Sequence, residues 1–308
     1  MNANVGADVD LYPSRHGADC GIQSRYDPIV YGEPDADGVL TQTQLERYQQ
    51  QGYLVLDNLF NTAEIEHLID EVSLWQQAFR NSENDNVSID EHGDIRSFYG
   101  IHAQHALYSA LSKDTRLVSI AQQVLADDVY LHQSRLTFKA PFVGQSSFWH
   151  SDFETWHVED GLPRMRTLSL ALVLTENQLT NAPIMVLPGS HKSFVSCPGE
   201  TPENNYLLTM REQHAGLPRQ DDIQILTDIN GVDAISAKKG SVILYDCNLM
   251  HGSSNNLSPL PRRNAVFVYN AISNRPRAPF SGMPARPEFM ATRRLIQPIR
   301  AQHQQLHF

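Results

Sequence analysis

The spacing of apolar residues predicts helices in the first part of the chain. After Asn61, apolar side chains recur at intervals of three and four residues, which places them on one face of a helix. This face consists of Ile65, Leu68, Ile69, Val72, Trp75 and Phe79. Glu64 stands three residues after Asn61, so the pair predicts a capping box at the helix start. Helices are also predicted from Thr41 to Gln51 and from Thr115 to Ala126.

Beyond Ala126 the apolar residues alternate with polar ones, which is typical of strands. The predicted strands are Val129 to Lys139, Thr167 to Thr175, Ile184 to Leu187, Gly240 to Asp246 and Asn264 to Ala271, with an earlier one at Tyr53 to Leu56. Turn sequences such as Pro188-Gly189-Ser190 separate them. Helices followed by many irregularly spaced strands predict a mainly β fold with flanking helices, in which a β barrel or double-sheet jelly roll carries the helices on its outside.

The chain of 308 residues is expected to form one large domain over residues 39–308, preceded by a polar segment. Residues 1–38 are rich in Gly, Pro and Asp, and we interpret them as an N-terminal arm or a poorly ordered leader. From about residue 275 the chain becomes a basic tail that contains a single acid, Glu288. Its arginines are Arg275, Arg277, Arg286, Arg293, Arg294 and Arg300. We expect this tail to pack against the domain or a partner subunit, with contact to an anionic substrate as the alternative.

Composition excludes several classes of protein. The net charge of −11 argues against nucleic-acid binding, which requires a basic surface. The three cysteines (Cys20, Cys197 and Cys247) are widely spaced and indicate neither a disulfide framework nor a zinc–thiolate site. No signal sequence and no long apolar run are visible, so we expect a cytoplasmic protein without a membrane partner. A homodimer is the expected assembly, because two-fold dimers are the commonest oligomers.

The densest chemistry lies in the segment Phe148-Trp149-His150-Ser151-Asp152. His150 and Asp152 are two residues apart, so an extended backbone would direct both side chains to the same side. Two imidazoles and one carboxylate form a three-ligand face that leaves the other positions of an octahedral Fe(II) open for substrate and O₂. A single His-x-Asp pair also arises by chance, so a second, distant histidine is needed.

His251 is the candidate for that second imidazole. It follows the predicted buried strand that ends at Asp246, which would place it at the rim of the barrel. Arg262 comes eleven residues later, and neighbouring strands could bring it beside His251. A guanidinium there could hold a carboxylate through two parallel hydrogen bonds, and Ser253 could add a hydroxyl. Taken alone, Arg262 is more readily explained as a solvated arginine in a turn.

Together these residues resemble the phytanoyl-CoA dioxygenase superfamily of 2-oxoglutarate oxygenases. The resemblance spans roughly Leu40 to Ala291 and includes Pro188-Gly189-Ser190-His191-Lys192. The block from Trp149 to Arg166, which reads WHSDFETWHVEDGLPRMR, is similar to that of the ectoine hydroxylase subfamily. This resemblance implies a double-stranded β-helix core, the cupin-like jelly roll. It also implies Fe(II) bound by His150, Asp152 and His251, with 2-oxoglutarate and O₂ as co-substrates.

The resemblance further implies the roles of several pocket residues. Arg262 and Ser253 would bind the distal carboxylate of 2-oxoglutarate, with Lys139 nearby. The implied substrate is ectoine, hydroxylated to 5-hydroxyectoine with release of succinate and CO₂, as part of compatible-solute synthesis under osmotic stress. The residues implied to contact ectoine are Gln133, Trp156 and Arg286. An indole face suits the cationic ring of ectoine, and a guanidinium suits its carboxylate. Because Asp152 supplies a carboxylate where halogenating relatives lack one, hydroxylation is favoured.

Two other functions remain open on sequence. The protein could be a related oxygenase acting on another small amino-acid-like or lipid-like substrate. It could also be a non-enzymatic cupin-like binding protein whose triad is vestigial or holds zinc. Turnover of 2-oxoglutarate to succinate only with Fe(II) would exclude this second possibility, and replacement of the proposed ectoine contacts would test the first.

Several polar residues near the triad are interpreted as structural. His157 is expected to be a packing residue, and His132 should point away from the face that carries Gln133, because side chains alternate along a strand. Glu154 and Glu159 could form an acidic rim, although solvated carboxylates are the ordinary expectation.

Overall fold

The structure of the protein is a computed structural model, which describes residues 9–17, 20–33, 38–79, 84–90 and 93–303. Its helices are α1 (Gln42–Gln51), α2 (Thr62–Phe79), α3 (Ile101–Gln104), α4 (Ala106–Leu111), α5 (Thr115–Leu125), α6 (Asp152–Asp160), α7 (Asn205–Arg211) and α8 (Gln220–Asn230). Its strands are β1 (Gly21–Ser24), β2 (Tyr53–Leu56), β3 (Val87–Ile89), β4 (Ile95–Tyr99), β5 (Val129–Lys139), β6 (Ser147–His150), β7 (Thr167–Val173), β8 (Met185–Val186), β9 (Ser193–Ser196), β10 (Asp233–Ala234), β11 (Val242–Asp246), β12 (His251–Ser253) and β13 (Arg262–Ala271).

Two antiparallel sheets form the framework of the domain. The major sheet has the order β2-β11-β7-β13-β5-β4-β3, and the minor sheet has the order β10-β8-β12-β6. All pairings in both sheets are antiparallel. This is the predicted jelly roll, with the site residues distributed over both sheets.

The alternation along β7 divides the core into two layers. Leu168, Leu170 and Leu172 belong to a cluster that includes apolar residues of α1, α2, α4 and α5. Ala171 and Val173 belong to a second cluster, which includes apolar residues of α6 and the minor sheet. Because successive side chains point to opposite faces, one strand supports the helical layer and the interior of the jelly roll at once.

The helix predictions from apolar spacing are confirmed. Thr41 caps α1 through a capping box with Gln44. At the start of α2, the backbone N–H of Asn61 donates to Glu64 and that of Glu64 donates to the Asn61 side chain. The predicted strands are also present, with small shifts at their ends. Helix α6 and the short strands β6 and β12 were not predicted as elements.

Part of the N-terminal segment packs firmly on the domain. Strand β1 pairs with β9. Tyr12 and Ser14 are buried, and Arg15 is only 4% exposed. Of the two interpretations of residues 1–38, the described residues support an arm that packs; residues 1–8, 18–19 and 34–37 lie outside them. The basic tail also packs on the domain, where Arg286 pairs with Asp160.

Among the described residues, no helix combines the length and apolar character needed to cross a membrane.

Candidate active site

His150, Asp152 and His251 converge as predicted. The Nε2 atom of His150 lies 3.8 Å from Oδ1 of Asp152, and Nε2 of His251 lies 3.9 Å from Oδ2. One potential ligand atom from each of the three residues lies within 4.8 Å of the others. No other group of three such residues was found within the described parts of the chain.

Backbone carbonyls fix the protonation of both imidazoles. Nδ1 of His150 faces the carbonyl oxygen of Phe148 at 2.7 Å, and Nδ1 of His251 faces that of Leu249 at 2.9 Å. A carbonyl oxygen can only accept a hydrogen bond, so each Nδ1 carries a proton. The lone pairs of the two Nε2 atoms are therefore free to bind a metal, as in other metal-binding histidines.

The local backbone differs from the extended segment that we expected. His150 ends β6, Ser151 is the N-cap of α6, and Asp152 is the first residue of that helix. The Ser151 hydroxyl accepts a hydrogen bond from the backbone N–H of Glu154. The strand therefore turns into a helix between the two ligands, and the helix end sets the direction of the carboxylate.

His251 also lies on an element of its own. It follows the buried strand β11, as expected, and it begins β12, which belongs to the minor sheet and pairs with β6. Arg262 begins β13 in the major sheet, so it is not on a strand next to β12. The two residues line one cavity from opposing sheets.

The ionisation of the triad suits a divalent metal. Burial and the neighbouring His251 lower the pKa of His150 to about 4, which keeps its imidazole neutral near pH 7. Burial alone would raise the pKa of Asp152, but the electrostatic influence of its neighbours His251 and Arg135 lowers it below its usual value. Oδ2 of Asp152 is buried and has no hydrogen-bond partner among the described residues. An orphaned carboxylate oxygen beside two free Nε2 atoms fits a bound cation.

The triad opens into a cavity of about 870 Å³, within the range of small-molecule sites. All nine residues predicted from the sequence to form the site line it: His150, Asp152, His251, Arg262, Ser253, Lys139, Gln133, Trp156 and Arg286. Residues from both sheets and from the C-terminal tail thus meet at one site.

One end of the cavity is lined by two buried residues with basic side chains. Arg262 and Lys139 are paired across β13 and β5, and both are buried. Burial and the charges of Arg262 and Arg96 lower the pKa of Lys139 to about 6. Burial also lowers the pKa of Arg262 to about 10, and its Nη1 atom has no partner within the described part of the chain. A buried guanidinium with a free N–H is a site for an anion.

The other end contains the residues implied to contact ectoine. The Gln133 amide donates to the carbonyl of Met290 at 2.7 Å and accepts from Nη1 of Arg135 at 2.6 Å. Trp156 is 2% exposed and Arg286 is 8% exposed. The side chain of Arg286 forms an ion pair with Asp160.

Arg135 is a pocket residue that was not predicted from the sequence. It lines the cavity, and Nη2 lies 4.0 Å from Oδ1 of Asp152. Burial lowers its pKa, but Asp152 and Tyr245 raise it above the usual value, so it stays charged. Its place two residues after Gln133 on the same strand could have indicated it, because both side chains then face the same way.

The prediction that His132 points away from the face that carries Gln133 is wrong, and a β-bulge is the reason. In the pairing of β13 with β5, Val268 lies opposite Gln133 and Tyr269 lies opposite Leu131, which leaves His132 as an extra residue. A bulge interrupts the alternation of side chains. His132 therefore points inward together with Gln133, where its ring packs edge-on against Trp156 and Nε2 lies 3.0 Å from Oδ2 of Asp160.

The expectation that Glu154 and Glu159 are solvated is wrong. Glu154 is 1% exposed and Glu159 is 5% exposed, and both bind the Arg15 guanidinium. The partner lies in the N-terminal segment, so only the tertiary structure reveals the network. His157 is a packing residue as predicted, stacked on Phe280 and hydrogen-bonded to Asp10.

Known proteins resemble the chain over most of its length. The sequence pattern of the phytanoyl-CoA dioxygenase (PhyH) family matches residues 48–264. The ectoine dioxygenase of Sphingopyxis alaskensis is 44% identical over 292 residues, covering 92% of this chain and 93% of that protein. The crystal structure of EctD from S. alaskensis with 2-oxoglutarate and 5-hydroxyectoine superposes with a TM-score of 0.88 at 40% identity, covering 97% of this chain and 100% of that one. The structure of the same protein with bound Fe gives a TM-score of 0.87 at 39% identity, with the same coverage.

Proposed function

The chain belongs to the phytanoyl-CoA dioxygenase family, and we propose that it is an Fe(II)- and 2-oxoglutarate-dependent dioxygenase that hydroxylates ectoine. The overall reaction converts ectoine, 2-oxoglutarate and O₂ into 5-hydroxyectoine, succinate and CO₂. The observation that carries the proposal is the convergence of the His150–Asp152–His251 triad and the Arg262–Lys139 pair on one cavity. The similarity to ectoine dioxygenases over nearly the whole chain supports this choice of substrate.

Iron would be held by Nε2 of His150, Nε2 of His251 and the carboxylate of Asp152. When bound, Fe(II) supplies the activation of O₂ and the oxidative decarboxylation of 2-oxoglutarate, chemistry that no amino-acid side chain provides. The protein keeps its ligands ready, because both Nε2 lone pairs are free and the pKa of Asp152 is low. Arg135 keeps a positive charge near Oδ1 of the carboxylate and favours its ionised form.

Arg262 would bind the distal carboxylate of 2-oxoglutarate, with Ser253 donating a hydroxyl and Lys139 lying alongside. The free Nη1 of Arg262 supplies a charge-assisted hydrogen bond that no described residue uses. Because Arg262 and Lys139 are buried, water competes poorly for the carboxylate.

At the other end of the cavity, Arg286 would bind the substrate carboxylate and the face of Trp156 would lie against the cationic ring. The amide of Gln133 is held by Met290 and Arg135, so it presents a fixed polar edge to the substrate. Binding at both ends would place a ring carbon of ectoine toward the metal and exclude bulk water, which is how a rigid site selects one position for oxidation.

A homodimer and a cytoplasmic location belong to this proposal. Two-fold dimers are the commonest assemblies of single-chain enzymes. The three cysteines are unpaired, which suits a reducing compartment. Light scattering after size exclusion would test the dimer, and fractionation of cells that express the protein would test the location.

The direct test is incubation of the purified protein with Fe(II), 2-oxoglutarate, O₂ and ectoine. We expect a product 16 mass units heavier than ectoine, the mass of one oxygen atom, together with about one succinate per product formed. Omission of Fe(II) should abolish both. Succinate formation that is stimulated by another small amino acid but not by ectoine would instead support a related oxygenase.

A further inference from the structure

Arg286, the proposed ligand of the substrate carboxylate, is held by a single buried carboxylate. Its Nε donates to Oδ1 of Asp160 at 2.8 Å and its Nη2 donates to Oδ2 at 2.5 Å. Asp160 is fully buried and Arg286 is 8% exposed. A two-point contact between planar groups fixes the plane of the guanidinium, which would otherwise rotate on a flexible side chain.

Asp160 is itself held in place by its helix, by two side chains and by the close packing of the C-terminal tail. It ends α6, the helix that begins with Asp152. His132 lies 3.0 Å from Oδ2, and Nη1 of Arg293 in the C-terminal tail donates to the Asp160 carbonyl oxygen. The next residue, Gly161, has a φ of +77°, and a Cβ there would lie 2.3 Å from the carbonyl oxygen of Arg277. The close approach of the tail therefore requires glycine at this position.

One edge of the Arg286 guanidinium remains available to a ligand. Nε and Nη2 face Asp160, and no described residue accepts a hydrogen bond from Nη1. Nη1 and the second N–H of Nη2 form the other fork of the guanidinium, which matches a carboxylate. Arg286 lines the cavity that also contains Trp156, and the ring of His132 supports that indole. Asp160 thus connects two of the proposed substrate contacts.

We propose that Asp160 is a positioning residue that orients Arg286 toward the substrate carboxylate and thereby sets the selectivity for carboxylate-bearing substrates. The inference rests on the proposed function, because it assigns Arg286 to the carboxylate of ectoine. Asp160 acts through Arg286 and does not itself touch the substrate. In an Asp160→Asn variant, one carboxylate oxygen becomes an N–H donor that faces Arg286 or His132, so the guanidinium must turn away.

The test compares ectoine with ectoine carboxamide, in which a neutral amide replaces the carboxylate. For Asp160→Asn we expect the KM for ectoine to rise by about 10-fold to 100-fold, the worth of a hydrogen bond to a charged group. The carboxamide has no carboxylate to pair with the Arg286 guanidinium, so its turnover should change little in the variant. The preference for ectoine over the carboxamide should therefore fall. The KM for 2-oxoglutarate and the affinity for Fe(II) should stay unchanged, because Asp160 bonds Arg286, His132 and Arg293, none of which is a proposed ligand of 2-oxoglutarate or iron.

Glu154→Gln is the matched control. It removes an equally buried carboxylate–arginine contact from the same helix, but Glu154 does not line the cavity. It should lower stability without altering the preference for ectoine. A double variant of Asp160→Asn with Arg286→Met should show no further loss of preference beyond Arg286→Met alone, since both changes remove one contact.

The outcomes separate the two proposals. If the unmodified enzyme does not hydroxylate ectoine, the proposed function fails. If it does, but Asp160→Asn leaves the KM for ectoine unchanged or weakens both substrates equally, the positioning role is overturned. Should Asp160→Asn fail to fold, Asp160→Glu keeps the charge and displaces the carboxylate by one methylene. A raised KM for ectoine alone then supports the role, and an unchanged KM overturns it.

Discussion

His150 and His251 lie directly opposite each other on the antiparallel strands β6 and β12, with their ring centroids 4.3 Å apart. Cross-strand neighbours have their Cβ atoms about 5 Å apart, so sheet pairing alone brings the two imidazoles together. Residues separated by about a hundred positions thus become adjacent because of strand register. The carboxylate of Asp152 then completes the site from the first residue of α6.

The first prediction concerns the metal. Loss of a residue that only hydrogen-bonds to a metal ligand lowers metal affinity by up to about 100-fold. Replacing a ligand itself, His150, Asp152 or His251, by Ala should therefore lower the affinity for Fe(II) by more than about 100-fold. Activity should be lost with the iron. Iron content after desalting and Fe(II) titration under anaerobic conditions measure the effect. The exposed Asp221→Ala is the control and should bind iron normally. Full iron content in Asp152→Ala would contradict the assignment.

The second prediction concerns Arg262. Arg262→Gln should raise the KM for 2-oxoglutarate by about 10-fold to 100-fold, because a charge-assisted hydrogen bond contributes about 1.5–3 kcal/mol. The KM for ectoine and the affinity for Fe(II) should change little. Arg263→Gln is the control, because the neighbouring arginine is half-buried and does not line the cavity. An equal loss of affinity for both substrates would mean that Arg262 supports the pocket as a whole.

The parts of the site that follow from local chemistry could be predicted from the sequence. The histidines and the aspartate occur in a recognisable order, and the arginine follows at a suitable distance. The strands of the major sheet were predicted as apolar or alternating segments bounded by turn residues, and their successive side chains divide between the helical layer and the interior. For these elements the local pattern and the tertiary structure agree.

Other features depend on contacts that no local pattern encodes. Helix α6 is buried on nearly every side, and its buried residues include four acids and a histidine, so polar positions do not mark a solvent-exposed face and the sequence gives no helical periodicity. The bulge at His132 depends on the register of β5 against β13. The burial of Glu154 depends on Arg15, which is 139 residues away along the chain. Arg135 could have been found from the alternation along β5, because the register is regular from Gln133 to Arg135 and the bulge at His132 precedes both residues.

The third prediction concerns the buried Arg15 network. Arg15→Met should lower the free energy of unfolding by about 3–5 kcal/mol, because two buried carboxylates lose their counter-charge. Urea denaturation measures the change. The burial of Glu154 raises its pKa, whereas Arg15 and Ser14 lower it, and the balance in the native enzyme lies below the usual value. Without Arg15 the folded state would bind a proton more tightly than the unfolded state. The difference in free energy of unfolding between the native enzyme and Arg15→Met should therefore become smaller as the pH falls through the usual range of a glutamate.

Two controls accompany Arg15→Met. The double variant with Glu154→Gln should recover part of the lost stability, because one uncompensated charge is removed. Lys239→Met breaks a solvated surface pair with Glu66 and should cost at most about 1 kcal/mol. A loss for Arg15→Met as small as that for Lys239→Met would show that the network does not stabilise the fold.

The last prediction concerns the pH dependence of 2-oxoglutarate binding. In the free enzyme, burial and the charges of Arg262 and Arg96 lower the pKa of Lys139 to about 6, so its amine is mostly neutral at pH 7.5. A bound carboxylate alongside favours the ammonium form and raises that pKa. Between pH 6 and the pKa of Lys139 in the complex, binding of 2-oxoglutarate should then take up about one proton. Over the same range the affinity for 2-oxoglutarate should fall as the pH rises. Calorimetry of the anaerobic Fe(II) enzyme in buffers of different ionisation enthalpy measures the uptake. Lys139→Met should bind 2-oxoglutarate more weakly and lose this uptake. Equal proton uptake in both proteins would exclude Lys139 as the titrating group.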